Sequence, residues 1–344
     1  KFNSIASSSI TSSSIVSSVA LINRKHDHQM VEINGNMYIF GGHLYYTPIA
    51  TLYKMDSSGN VQKITLTGDI PRPIGSFGMV AMYGNIYIFG GYYYGVGFLN
   101  DLYKIDITTK TSEKITLTGD IPIARENHSM VAIGDYIYIC SGYETNNQEQ
   151  ENDLWKIDII NKTSAKINLS GDTLIQRVNH SMVAIGDALY IFGGGAIKAN
   201  LSMLDDLFKI DITTNTSEKI TLTGDRPSAR YKHTMVAIGD YIYIFGGFLW
   251  SNRSFLPNDL YKIDITTKTS EKITLTGDIP SARSSHSMVV IDDHMYVFGG
   301  EIFNGGTRRD HNLYKIEFVD VLNIAYLKLY DSLKTPEELT TIYT

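Results

Sequence analysis

The chain has 344 residues, 43% hydrophobic and 19% charged, which excludes a disordered polymer and describes a chain able to bury a core. A formal net charge of -6 argues against a nucleic-acid partner. A single cysteine, Cys140, excludes an internal disulfide and points to a reducing, cytoplasmic setting, and no apolar run is long enough to span a membrane.

The N-terminus is Ser-rich (KFNSIASSSITSSSIVSS), with no apolar stretch behind a basic start, and reads as a poor signal peptide. From His28 onward one unit recurs six times. Its clearest copies are HSMVAIGDYIYICSG (128–142), HSMVAIGDALYIFGG (180–194) and HTMVAIGDYIYIFGG (233–247). HSMVVIDDHMYVFGG (286–300) follows, and weaker copies run over 28–42 and 78–91. The leading positions 28, 78, 128, 180, 233 and 286 give a period of 50 to 53 residues, the mark of an array or propeller.

Each unit predicts four short strands. In the copy from His128, HSMVAI is apolar enough for a strand buried on both faces, and Gly134-Asp135 is a hairpin turn signal. YIYICSG follows, then a variable loop, then DLWKIDI (153–159), whose alternation marks a half-exposed strand. After a turn at 161–163, SAKINLSG (164–171) supplies a more polar fourth strand. Buried strands first and an exposed strand last predict radial sheets, the blades of a β-propeller. Glycine doublets at 41–42, 90–91, 193–194, 246–247 and 299–300, with Ser141-Gly142 in the remaining copy, read as close blade contacts. No helix follows them and no phosphate-loop pattern is present.

Apolar strand, Gly-Gly, variable loop, D/N-L-Y-K strand and then G-x-x-P-x-x-R-x-x-H resemble the kelch-repeat family over roughly residues 12–318. The resemblance implies an all-β, six-bladed kelch β-propeller of four-stranded blades, acting as a protein-interaction module, adaptor or scaffold. Kelch repeats often carry a Trp on the fourth strand. Here that strand reads TSEKITLTG (111–119 and 269–277), so Ile and Leu must pack the blades there.

The sixth unit breaks away into VDVLNIAYLKLY without a fourth strand. Residues 13–20 (SSIVSSVA) occupy the position such a strand needs relative to His28, and are expected to complete blade six. The propeller is thus expected over 1–318. Over 319–344, Leu322, Ala325, Leu329 and Leu333 at helical spacing and a helix-start signal at Thr335-Pro336 predict a helical tail or the stub of a further domain.

Strand order places the connections between blades and the variable loops on one face, where binding function resides on a rigid ring. Arg125, Arg177, Arg230 and Arg283 recur there, each three residues before its His. They read either as a partial basic ring gripping carboxylates or phosphates, or as tethers of their own loops. Tyr46, Tyr92, Tyr93, Tyr94 and Trp250, in the variable loops, are candidate contact residues for a partner. The predicted partner is a protein or peptide, acidic or phosphorylated.

His28, His128, His180, His233 and His286 lie one per blade around a wide ring, which suits hydrogen-bonded strand starts better than a metal site. No motif asks for a cofactor. The iron motif Glu-x-x-x-Asp-x-x-x-His of some kelch-like proteins is absent, and Cys140 falls in a buried strand, unsuited to a copper and Cys-Tyr radical site. No nucleophile elbow or HExxH pair is present, so no catalytic residue is assigned. The alternative is a carbohydrate-active enzyme of the sugar-mutarotase type on a propeller, with a deep axial pocket and converging carboxylates.

Overall fold

The computed structural model describes residues 9–15, 25–44, 47–72, 74–144, 153–196, 202–248, 258–303, 307–309 and 312–319. The predicted helical tail lies outside them. Among the described residues no helix is long and apolar enough to cross a membrane.

Six larger sheets follow the six repeats. In the third, Ser129–Ile133, Tyr136–Cys140, Leu154–Asp158 and Thr163–Ile167 pair antiparallel in chain order. The first strands of the six sheets are Gln29–Ile33, Gly78–Met82, Ser129–Ile133, Ser181–Ile185, Thr234–Ile238 and Ser287–Ile291. Each touches the next, and the last touches the first. The second strand of each blade is its most buried, as the aromatic and β-branched run predicts. The third-to-fourth strand turns are held by aspartates: Asp106 Oδ1 accepts the Thr108 and Thr109 amides at 2.8 and 2.9 Å, and Asp158, Asp211 and Asp264 repeat this.

The core is divided among six blade-to-blade seams. Ile115 and Leu117 of blade two pack with Met130, Ile137 and Trp155 of blade three, so Ile and Leu do fill the place of the fourth-strand Trp. Met30, Met37 and Ile39 of blade one pack with Val289, Phe298 and Leu313 of blade six, across the seam where chain start meets chain end.

Blade six takes its fourth strand from the N-terminus. Ser9–Ile15 pairs antiparallel with Leu313–Val319 along its whole length, from Ser9↔Val319 to Ile15↔Leu313. The strand therefore starts four residues earlier than the 13–20 expected. Its outer edge receives Leu275–Gly277 in parallel, as the outer strand of other blades receives the connection from the blade before. At each such crossing a glycine (Gly68, Gly119, Gly171, Gly224, Gly277) adopts positive φ, and a Cβ there would collide with a serine carbonyl oxygen of the strand it crosses. Those serines are Ser112, Ser164, Ser217, Ser270 and Ser12. Thr11-Ser12 is thus the N-terminal copy of the Thr-Ser pair that opens the fourth strands of blades two to five.

Strand register also corrects the second repeat. Gly78 pairs with Phe89 as Ser129 pairs with Cys140, so Phe77, not Gly78, holds the histidine position. Phe77 packs edge-on against Phe40 of the preceding blade. His28, His128, His233 and His286 do the same against Phe298, Phe89, Phe192 and Phe245.

Candidate functional site

Four residues from every blade converge on the axis: 27–30, 76–79, 127–130, 179–182, 232–235 and 285–288 line one cavity of about 200 Å³. Its mouth is formed by Asp27, Ser76, Asn127, Asn179, Lys232 and Ser285, all in the left-handed backbone region with φ between 50° and 60°. Their main chains run around the mouth as an arc of five hydrogen bonds. The amides of Asn127, Asn179, Lys232, Ser285 and Asp27 donate to the carbonyls of Ser76, Asn127, Asn179, Lys232 and Ser285 at 2.8–3.2 Å. The left-handed backbone explains the short polar residues at five of these six positions, since Asn, Asp and Ser tolerate this conformation, and Lys232 is the exception. Below it lie the histidine layer and six methionines, Met30, Met79, Met130, Met182, Met235 and Met288. The connections between blades pair with the starts of the variable loops around the same mouth, as Arg125–Glu126 does with Tyr143–Glu144.

The histidine layer is structural. His180 Nε2 meets Ser129 Oγ at 2.6 Å and His286 Nε2 meets Thr234 Oγ1 at 2.7 Å, each bond crossing a blade seam. Burial, reinforced by the neighbouring arginine of the same blade, lowers these imidazoles: His128 and His233 to about 3, and His180 and His286 well below their ordinary value.

The four arginines lie beneath the surface, with no exposed area. Arg177 Nη1 donates to Asp206 Oδ1 at 2.7 Å and to the Gly193 carbonyl at 3.0 Å, and its Nε donates to the Ile175 carbonyl. Arg230 holds Asp259 and Arg125 holds Asp153 in the same way, with Glu144 added at 2.8 Å in the latter. Arg283 donates to the Ser281 and Gly299 carbonyls and lies over Tyr314. The basic-ring reading of Arg125, Arg177, Arg230 and Arg283 therefore gives way to the tether reading: guanidiniums with no exposed surface have nothing to offer a ligand. Arg177→Ala is expected to destabilise the protein by about 3–5 kcal/mol, because it strands a buried carboxylate. Joint replacement, Arg177→Met with Asp206→Leu, should recover most of that loss in a urea titration.

Charge at the mouth is asymmetric. Lys232 Nζ lies 3.5 Å from Asp27 Oδ1, and Asp27 Oδ2 lies 2.9 Å from His26 Nδ1. Burial alone would raise the Asp27 carboxyl, but Lys232 and the His26 hydrogen bond reverse this and hold it well below the usual range. Burial followed by the charge of Asp27 pushes Glu126 up to about 7. Asp27 is the one carboxylate among the described residues lining the cavity.

On the rim, Tyr94 is 82% exposed, with Tyr92 and Val96 exposed beside it. Tyr92, Phe98 and Tyr143 stand in an edge-to-face row with ring centroids 5.6 Å apart. Tyr93 instead carries the Arg72 guanidinium over its ring at 5.4 Å. Tyr46 and Trp250 lie outside the described residues. Sequence reading missed the axial cavity and its charged mouth, although the residue before each repeat's histidine varies in charge as Asp27 and Lys232 do.

The KLHDC2/KLHL20/DRC7 kelch-repeats domain model matches residues 6–194 and 179–328. The chain belongs to the kelch-repeat family. Among curated kelch relatives, the leucine-zipper-like transcriptional regulator 1 homolog of Drosophila melanogaster is 30% identical, over 64% of this chain and 22% of the relative. Tip elongation aberrant protein 1 of Schizosaccharomyces pombe is 28% identical over 56% of this chain and 17% of its own length. Human kelch domain-containing protein 3 is 29% identical over 55% of this chain and 51% of its own length. The chain thus matches about half or less of each of these kelch proteins. The solved structure of YjhT superposes with a TM-score of 0.67 at 16% identity, over 86% of this chain and 97% of that one, a likeness of fold.

Proposed function

We propose that this kelch chain is a non-enzymatic protein-interaction module, the recognition part of a cytoplasmic adaptor, which takes a peptide or protein loop across the axial mouth. The observation that carries this is the partly exposed aromatic row at Tyr92, Phe98 and Tyr143, flanked by the exposed Tyr94 and Val96 and set on a rigid ring beside a polar cavity. Tyr46 and Trp250 belong, in the sequence, to the same set of variable loops. Burial of the four arginines removes the ground for an acidic or phosphorylated partner. Asp27, Glu126 and Glu301 outnumber Lys232 around the mouth, which favours a neutral or basic segment.

Affinity capture from the source cells tests this, comparing the intact protein with a Tyr92→Ala, Tyr94→Ala variant. Both side chains are exposed, so the melting temperature should hold while affinity for a specific partner falls about tenfold or more. Partners retained in full by the variant would move the site off this loop. The axial cavity gives the sugar-enzyme reading one of its two requirements, but a single lining carboxylate, held by Lys232, leaves the second unmet. Catalysed anomerisation of a reducing sugar by the purified protein, abolished in Glu126→Gln, would overturn the binding reading.

A further inference from the structure

Beside the axial mouth, at the seam where blade six meets blade one, repeated positions carry an unrepeated set of side chains. The position of His26 is held by Gly75, Glu126, Val178, Tyr231 and Ser284 in the other blades. That of His43 is held by Tyr92, Tyr143, Gly195, Phe248 and Glu301. Only in blade one do both become imidazoles, directly opposed across a two-stranded ladder. Asp27 follows His26 in sequence, and its Oδ2 faces both rings: 2.9 Å from His26 Nδ1 and 3.9 Å from His43 Nδ1.

One ligand atom from each of His26, Asp27 and His43 lies within 4.8 Å of the other two, and Glu301 Oε1 of blade six stands 3.8 Å from His26 Nδ1. Around a tetrahedral ion with bonds of about 2.0–2.1 Å, ligand atoms stand roughly 3.3 Å apart. Reaching that spacing requires the imidazoles to rotate, because the His26 and His43 rings stack with centroids 5.4 Å apart and planes 18° from parallel. A second feature points the same way. Gly75 of blade two leaves an open seat for the His43 ring, because a Cβ at that position would collide with His43 Cε1. Lys232 holds the other oxygen of Asp27, Oδ1, and so leaves Oδ2 directed at the imidazoles.

We propose that His26, Asp27 and His43, with Glu301 as fourth ligand, form a site for a divalent transition-metal ion of the zinc class. Two imidazoles and two carboxylates are borderline nitrogen and oxygen donors, which suit zinc or cobalt better than calcium or magnesium. Three ligands come from the first blade and one from the last, so a bound ion clasps the ring shut at its seam. The site shares Asp27 and Glu301 with the charged mouth, but the aromatic row that carries the partner reading lies outside it, so each proposal can fail alone.

Equilibrium dialysis of the tag-free, chelator-treated full chain against zinc tests it. One equivalent bound, with a rise in melting temperature, is expected. His43→Gln and Asp27→Asn should each weaken binding at least tenfold. His294→Gln, which changes a half-exposed imidazole outside the cluster, should leave it unchanged. Cobalt added to the unmodified protein should give the visible absorption of a tetrahedral centre, a readout that needs no variant to fold. Binding of well under one equivalent at 100-fold excess zinc, or octahedral cobalt only, would overturn the proposal. So would one equivalent retained in a folded His26→Gln, His43→Gln double variant.

Discussion

Acidification from pH 7 to pH 5 is expected to unfold this protein steeply, through its axial histidines. His128, His180, His233 and His286 are neutral in the fold, their values lowered first by burial, to about 3 for His128 and His233. In the unfolded chain each imidazole titrates near 6.5. Below that value the unfolded state binds a proton at each site and the folded state does not. Stability therefore falls with pH by about 1.4 kcal/mol per unit per histidine, or on the order of 5 kcal/mol per unit for four. Glu126 runs the other way. Raised to about 7, it takes up its proton in the fold before it does in the unfolded chain, and so offsets about one histidine between pH 7 and the ordinary carboxylate range. Asp27 and Asp153, both lowered, contribute stability that is present above the unfolded carboxylate value and lost only at more acid pH. A net slope near three protons consumes a typical stability of roughly 5–15 kcal/mol within two or three units. Urea titrations at half-unit intervals measure that slope. His128→Phe, copying what blade two has at Phe77, should reduce it by one proton. A stability flat from pH 7 to pH 5 would mean that these rings are not held neutral.

Scaffold features were readable because repetition reports them six times. The strand pattern and the fourth-strand Ile and Leu were legible from spacing and residue type, while the aspartates that hold the third-to-fourth strand turns were not singled out. Errors fell where a single copy departs from the rest. Blade two has Phe77 and Gly78 where the other five have His followed by Ser, Thr or Gln, and the glycine drew the alignment one residue late. In the N-terminal strand only Thr11, Ser12 and Ile15 survive of the shared motif, inside a serine-rich run in which several registers look alike. The arginines stayed ambiguous between ring and tether for a different reason. Recurrence shows that a position matters, but not whether it faces solvent, and Asp153, Asp206 and Asp259, which bury them, lie 28 or 29 residues further along the chain. His26 and His43 went unremarked because they vary among blades. At this mouth, departures from the repeat carry the chemistry.

Deleting residues 1–15 is expected to lower the melting temperature on the order of 10 °C or more. Ser9–Ile15 supplies the fourth strand of blade six, and without it Leu313–Val319 becomes an open edge while Leu275–Gly277 loses its partner. Ile10 is 2% exposed and packs with Leu275, Tyr314 and Ile316 in the seam between blades five and six. Ile10→Ala alone should destabilise by about 2–4 kcal/mol. Ser12 adds two ties to the incoming connection: its Oγ donates to the Asp278 carbonyl and its own carbonyl accepts the Asp278 amide, each at 2.8 Å. The strand comes from the opposite end of the chain to the blade it completes, so losing it leaves the Met30–Phe298 seam and the hydrogen bonds of Asp27 to Ser285 and Ser287 to His28 to hold blade six against blade one. A synthetic peptide spanning the deleted strand should restore much of the loss when added to the truncated protein, because the vacated edge keeps its register-setting neighbours on both sides. A melting curve unmoved by the deletion would mean that the ring closes elsewhere. A deletion that destabilises without rescue by the peptide would assign the effect to the chain leading into blade one.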